Sequence, residues 1–201
     1  MKGSKLVRLA CLICLAGALA LAGCSKDQMV NAFSDVTGRS ANDVHLSADN
    51  FQANLGSGLG AYRGKSILLS DFANRAENTK QFSYPALGKK MWYVVGHGSI
   101  EAYFWYCFRP ALESVGVRVY QDSAPAEVPR LSLTLLHLDD HVFVGKVTVS
   151  RQGRVFGKDI TVKVTPPDSE DRMVLTEAAY GYMNQIIAAI LRDPEISAHL
   201  L

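Results

Sequence analysis

RLSLTLLHLDDHVFVGKVTVSRQGRVFGKDITVKV, residues 130–164, is the stretch from which the rest of the chain can be read. Apolar and polar residues alternate along RLSLTLLHL, along HVFVGKVTVS and along RVFGKDITVKV. Asp139-Asp140 joins the first two segments, and Arg151-Gln152-Gly153 joins the last two. Period-two alternation interrupted by tight polar turns predicts three antiparallel strands in a meander. Such a meander has one apolar face, and the neighbouring segments must supply its cover.

Two helices are predicted to do so. Upstream, Ser99 can cap a helix over residues 99–115, in which Ile100, Tyr103, Phe104, Cys107, Phe108, Ala111 and Val115 form one broad stripe. Pro110 is expected to kink or divide it. Downstream of Pro166-Pro167, Asp168 or Ser169 can cap a helix over residues 169–192. Glu170 and Asp171 then fall in its first turn and Arg192 in its last, as the helix dipole favours, and Pro194 closes it. Its core stripe is Leu175, Ala179, Tyr182, Met183, Ile186 and Ile190. Further strands are expected at SILLSDF (66–72), MWYVV (91–95) and VRVY (117–120), with a loop between the first two. The fold class that follows is α+β, a two-layer domain over 65–195 with two helices packed on one face of a mixed, mostly antiparallel sheet.

Residues 25–64 are rich in Ser, Asn, Asp and Gly, and they read as a flexible tether leading into the first strand. Forty residues of coil span roughly 5–6 Å × √n, about 35 Å. Ahead of the tether, Lys2, Lys5 and Arg8 precede an uncharged run from Leu9 to Gly23. At about 1.5 Å per residue that run is too short to cross a hydrocarbon core of roughly 30 Å, so it reads as an export signal.

The run ends in Leu21-Ala22-Gly23-Cys24, which resembles the lipobox of bacterial lipoproteins. The resemblance implies cleavage before Cys24 and lipidation of its thiol and new amino group. The division is then a signal peptide over 1–23, a lipidated N-terminus and tether over 24–64, and the domain. Ser25 and Lys26 follow the cysteine where the common inner-membrane retention signal of this family carries aspartate. An outer-membrane, periplasm-facing, lipid-anchored protein is therefore expected.

Processing also changes the composition. Loss of the three basic residues of 1–23 takes the formal charge from +2 to −1, so no basic patch argues for nucleic acid. Cys11 and Cys14 leave with the signal and Cys24 becomes an anchor. Cys107 is the remaining thiol, so the 178 residues from Cys24 onward must fold without an internal disulfide.

Motifs for chemistry are weak. Gly64-Lys65-Ser66 lacks the upstream glycine of a phosphate loop, because position 59 is leucine. His137 and His141 bracket Asp139-Asp140 in strand-patterned sequence, where a polar hairpin turn is favoured over a metal site. His97 and Ser99 in GHGS read as a strand break and helix cap, and no paired acid supports them as a nucleophile and base. Cys107 lies within the apolar stripe, as a buried thiol does. No catalytic residue, metal ligand or cofactor is assigned.

The aromatic run Tyr103-Phe104-Trp105-Tyr106 places Trp105 and Tyr106 beside the main stripe, where they can contact the sheet, the other helix or a partner. Tyr180, Ile187 and Leu191 likewise widen the apolar arc of the last helix beyond what one sheet face requires. These five residues form the candidate interaction surface.

The order of elements, with ILLSDFANR, ALESVGVRVY, a meander and a long C-terminal helix, resembles small envelope lipoproteins with TolB-N-like or CsgG-N-like domains, including the YajG type. It is also similar to the LptE and PqiC auxiliary lipoproteins of lipid transport. KKMWYVV and the proline in the first helix depart from that pattern. The anchor, the long tether, the two-layer domain and the surplus apolar helix surface together point to a non-enzymatic assembly or docking component of an envelope complex. The alternative is a lipid- or glycolipid-binding auxiliary of an envelope transport system, with the aromatic helix lining the site. The partners expected are the membrane through Cys24, an envelope protein, and a lipid or glycolipid.

Overall fold

The computed structural model describes residues 43–88, 90–96 and 98–201. Cys11, Cys14, Cys24, the expected export signal and His97 lie outside the described residues. Among the described residues, eight strands and three α-helices follow in chain order. They are β1 (Asp43–Leu46), β2 (Ser66–Asn74), β3 (Ser83–Ala86), β4 (Met91–Val95), α1 (Ile100–Ser114), β5 (Arg118–Tyr120), β6 (Arg130–Leu138), β7 (Val142–Arg151), β8 (Arg154–Lys163), α2 (Arg172–Arg192) and α3 (Pro194–Leu200).

The meander forms as its alternation predicts. β6 pairs antiparallel with β7, and β7 with β8, while β2 runs parallel to both β5 and β6. The resulting mixed sheet has the order β5-β2-β6-β7-β8. Leu131, Leu133, Phe143, Val147, Val149, Ile160 and Val162 point to its buried face. Leu136 is the extra residue where the β6–β7 register slips, and it is exposed. Beyond that bulge, Asn78 pairs with the backbone of Leu138 as a strand would: its amide donates to the Leu138 carbonyl (2.9 Å) and its carbonyl accepts from the Leu138 N–H (3.3 Å).

The fold class is α+β, and a second sheet enlarges the expected plan. β4, the MWYVV segment, joins β1 and β3 in a three-stranded sheet of order β1-β4-β3 instead of entering the main one. β3 lies in a segment whose Pro85 and flanking polar residues read as loop. It pairs antiparallel with β4, and an edge position tolerates a proline that cannot donate.

α1 begins at the expected cap, with Ser99 Oγ accepting from the Ala102 N–H at 3.2 Å, and its predicted stripe is buried as far as Ala111. It runs unbroken through Pro110. The proline ring removes a donation toward the carbonyl of Tyr106, a residue on the solvent side of the helix. α2 starts three residues later than predicted, because Asp171 is its cap and accepts from the Met173 N–H at 2.8 Å. Pro194 opens a further helix after closing α2. Asp193 ends α2 and caps α3, with Pro194 in the first turn, where its missing N–H costs nothing. Ile196 and Leu200 of α3 are buried, so the domain extends past residue 195.

The expected tether does not extend over residues 44–64. Val44, Leu46, Ala48, Phe51, Leu55, Leu59 and Tyr62 all belong to the hydrophobic core. Hydrogen bonds fasten this segment along one side of α2. The Tyr180 hydroxyl donates to the Ser47 carbonyl (2.9 Å), and the Asn184 amide donates to the Gln52 carbonyl (3.0 Å). The buried Tyr62 hydroxyl donates to the Leu191 carbonyl (2.8 Å), and the Arg192 guanidinium reaches the carbonyls of Leu55 and Ser57. Apolar residues spaced two to four apart in a polar background are thus a strap, and residues 44–64 are part of the domain.

Candidate functional site: a tyrosine-walled cavity beside the hairpin turn

The strap decides the fate of the expected interaction surface. Ile187 is fully buried and Leu191 is 1% exposed, so neither can meet a partner. Tyr180 is half-buried, with its ring edge-on to Phe51 and its hydroxyl tied to Ser47. The wide apolar arc of α2 has a sheet on one side and the strap on the other. Trp105 is half-buried against the core and Tyr106 is 47% exposed, and the two rings meet edge-to-face at 5.3 Å. Beside them is an open depression of about 370 Å³, bordered by Trp105, Asp71, Gln121, Asp122 and Arg130.

The β6–β7 turn is buried despite its composition, with Asp139 2% and Asp140 4% exposed. Asp139 organises the turn. Its Oδ1 accepts from the N–H groups of His141 (2.8 Å) and Val142 (2.7 Å), and its Oδ2 lies 2.7 Å from His137 Nε2. Asp140 Oδ1 accepts from the Leu87 N–H (2.8 Å) and lies 2.7 Å from His141 Nδ1, tying the main sheet to the end of β3. Asp140 Oδ2 is closed off from solvent and accepts no hydrogen bond among the described residues. Asp139, Asp140 and His141 each bring a ligand atom within 4.8 Å of the others. Most of those donor atoms are nevertheless committed to holding the turn, as the polar-hairpin reading expects.

Asp140 also stands in the wall of a cavity of about 220 Å³. Tyr84 of β3, Tyr93 of β4 and Tyr182 of α2 line it, with Thr165, Gln185 and Gly181. The first two rings stack at 4.9 Å. Burial, and then the neighbouring carboxylate of Asp140, holds the Tyr93 phenol up at about 12. Burial likewise drives Tyr84 and Tyr182 well above the phenol range, with Asp140 contributing to both and Asp139 to Tyr182. These phenols stay neutral and cannot offset the carboxylates. No lysine or arginine lines the cavity among the described residues.

Sequence reasoning missed this cavity for a physical reason. Tyr84 lay in a presumed loop, Tyr93 in a strand assigned to the main sheet, and Tyr182 among core residues. Their convergence is tertiary. Ser99 serves as a helix cap, and Cys107 is fully buried, its thiol pushed up to about 12 by desolvation, which opposes thiolate chemistry.

No family model matches the sequence, and a search of curated proteins returns no match. Among solved structures, the chain is similar to protein XCC0632 from Xanthomonas campestris, a member of the DUF330 family. The TM-score is 0.52 at 11% identity, over 74% of this chain and 91% of that one. It is also similar to an uncharacterized protein, with a TM-score of 0.48 and 17% identity over 64% of this chain and 97% of the other. The first likeness concerns the fold, and it agrees with the α+β architecture described above.

Proposed function

We propose that this chain is a lipid-anchored envelope protein that works by docking a partner at the periplasmic face of the outer membrane, without catalysis of its own. The anchor rests on the lipobox resemblance ending at Cys24. The domain's resemblance to small envelope lipoproteins supports the same reading. Two acyl signals suffice for stable anchoring, and a cysteine acylated at both thiol and amine supplies them.

The observation that carries the docking half is the Trp105–Tyr106 pair, a half-exposed aromatic edge beside a polar depression. Binding hot spots combine such an aromatic anchor with a polar rim. Asp71 and Asp122 outnumber Arg130 there, so the fitting partner is an envelope protein that presents an apolar side chain next to a basic one.

A photo-crosslinking residue at position 106 in cells tests this, with one at Val155, which is 71% exposed on β8, as the control. A discrete adduct is expected from position 106 alone. It should weaken when Asp122→Lys reverses the charge of the rim and vanish when Cys24→Ala blocks anchoring. Equal labelling from both positions, or none from position 106, refutes the docking surface.

A second reading, binding of a lipid or glycolipid, is favoured by the tyrosine-walled cavity. At about 220 Å³ it is smaller than the usual ligand pocket of roughly 300–1,000 Å³. That size suits a headgroup better than an acyl chain.

A further inference from the structure

We propose that the tip of the β7–β8 hairpin and the last turn of α3 form a binding site for a phosphomonoester group, held by Arg151 and Arg154. The site lies at the opposite end of the meander from the Asp139-Asp140 turn, and it rests on neither the lipid anchor nor the docking surface. Arg151 and Arg154 stand directly opposite each other in the hairpin register. Like charges placed so repel and destabilise the strand pair. A carboxylate beside them would relieve the repulsion, yet neither guanidinium forms an ion pair among the described residues. The acidic side chains at the start of α3, Asp193 and Glu195, are taken by Lys158 instead.

Beside the pair is an open depression of about 300 Å³, lined by Arg151, Gln152, Arg154, Phe156 and His199 and by no carboxylate side chain. His199 stacks on Phe156 with ring centroids 4.3 Å apart, which fixes the imidazole at the rim. Gln152 takes φ 49°, a left-handed backbone uncommon outside glycine and asparagine, and brings an amide to the same surface. Two guanidinium forks and an imidazole N–H around one concavity suit a group with oxygens on several sides. A carboxylate presents two oxygens in one plane, which a single fork satisfies; a phosphomonoester presents three and carries nearly two charges. Arg130 faces Ser150 in the register and Arg118 opens β5 at the same end of the sheet, so the positive field extends beyond the pair. The volume also leaves room for whatever bears the phosphate.

The test is calorimetric titration of the full chain in detergent with inorganic phosphate at fixed ionic strength, with the His199 ring resonances as a local probe. Saturable binding is expected, tighter than that of acetate. Arg151→Gln and Arg154→Gln should each weaken phosphate by about ten- to a hundredfold. Lys163→Gln makes the same change of charge on an exposed residue at the far end of β8, and should leave affinity within about twofold. Both arginines are exposed, and relief of their repulsion should hold the unfolding midpoint of each ligand-free variant at or above that of the wild type. A lower midpoint would mean that the arginines already have partners in the fold, which removes the premise.

Phosphatidic acid in the micelles, against phosphatidylglycerol, separates the sources. Selective competition by phosphatidic acid assigns the site to a lipid headgroup, and no competition by either lipid assigns it to a soluble phosphate; both agree with the proposal. Absence of saturable phosphate binding overturns it. So does an equal loss in Lys163→Gln, or equal competition by the two lipids, because attraction would then follow net charge alone.

Discussion

Replacing Ile187 with alanine separates a docking helix from a strapped one. If the outer side of α2 awaited a partner, the substitution would be a surface change, worth less than about 0.5 kcal/mol to folding. In the structure Ile187 is fully buried, on a helix held at Tyr180, Asn184, Leu191 and Arg192 by residues 47–62. Alanine removes three carbons, about 2.4 kcal/mol of transfer free energy at roughly 0.8 per methylene. The cavity left behind adds to this, which places the total at about 3–5 kcal/mol. Urea unfolding, followed by the fluorescence of Trp92 and Trp105, measures it. The midpoint should fall at unchanged slope, while Tyr106→Ala stays within about 0.5 kcal/mol of wild type. Tyr62→Phe deletes one oxygen and strands the Leu191 carbonyl, and it should cost about 1–3 kcal/mol. A loss below about 1 kcal/mol for both Ile187→Ala and Tyr62→Phe would refute the strap.

Gly145→Ala should destabilise by about 1–3 kcal/mol, because the new Cβ runs into Cζ of the buried Phe143 ring, which stacks on Phe104. Gly157→Ala on β8 meets the flexible end of Lys146 at 3.3 Å and should be near neutral by the same unfolding assay. If the two cost the same, the packing argument fails. Alkaline unfolding should follow from the buried phenols. Tyr93 is held up at about 12, with Tyr84, Tyr103 and Tyr182 also raised by burial. A raised folded value means the stabilisation is complete below the unfolded pKa of about 10 and is lost as pH climbs through 12. Phenolate absorbance and loss of near-UV circular dichroism should rise together in that window; ionisation of these rings in an intact fold below about pH 10 would contradict it.

How much of this was legible depended on how local each signal is. The meander and both long helices follow from periodicity, since a sheet with one covered face and an amphipathic helix write their burial directly into neighbouring positions. β3 was hidden because Ser83-Tyr84-Pro85-Ala86 has the composition of a loop and pairs only through β4. Residues 44–64 were hidden for a related reason. Their apolar residues sit two to four apart in a background of Ser, Asn, Asp and Gly that reads as coil, and the strap lies across α2 with only a short strand and two single turns of its own. The surplus apolar arc of α2 was read correctly as needing cover. Which surface supplies that cover is tertiary information, and no local pattern carries it.

The same distinction bears on the site. HLDDH invites a metal by composition, yet a divalent ion needs several open donors. Zinc takes four ligands, and calcium or magnesium six or more. Here the turn commits three of its four carboxylate oxygens to hydrogen bonds and leaves Asp140 Oδ2 as the exception. That fourth oxygen is itself buried, so the carboxylates of the turn serve the fold. The aromatic walls come from β3 and β4, and β4 is the core of the KKMWYVV segment by which the sequence departs from its architectural resemblance. The added sheet therefore turns an ordinary hairpin turn into the floor of a cavity. A chain that kept the meander and lost that sheet would keep the carboxylate and lose two of the three tyrosines beside it.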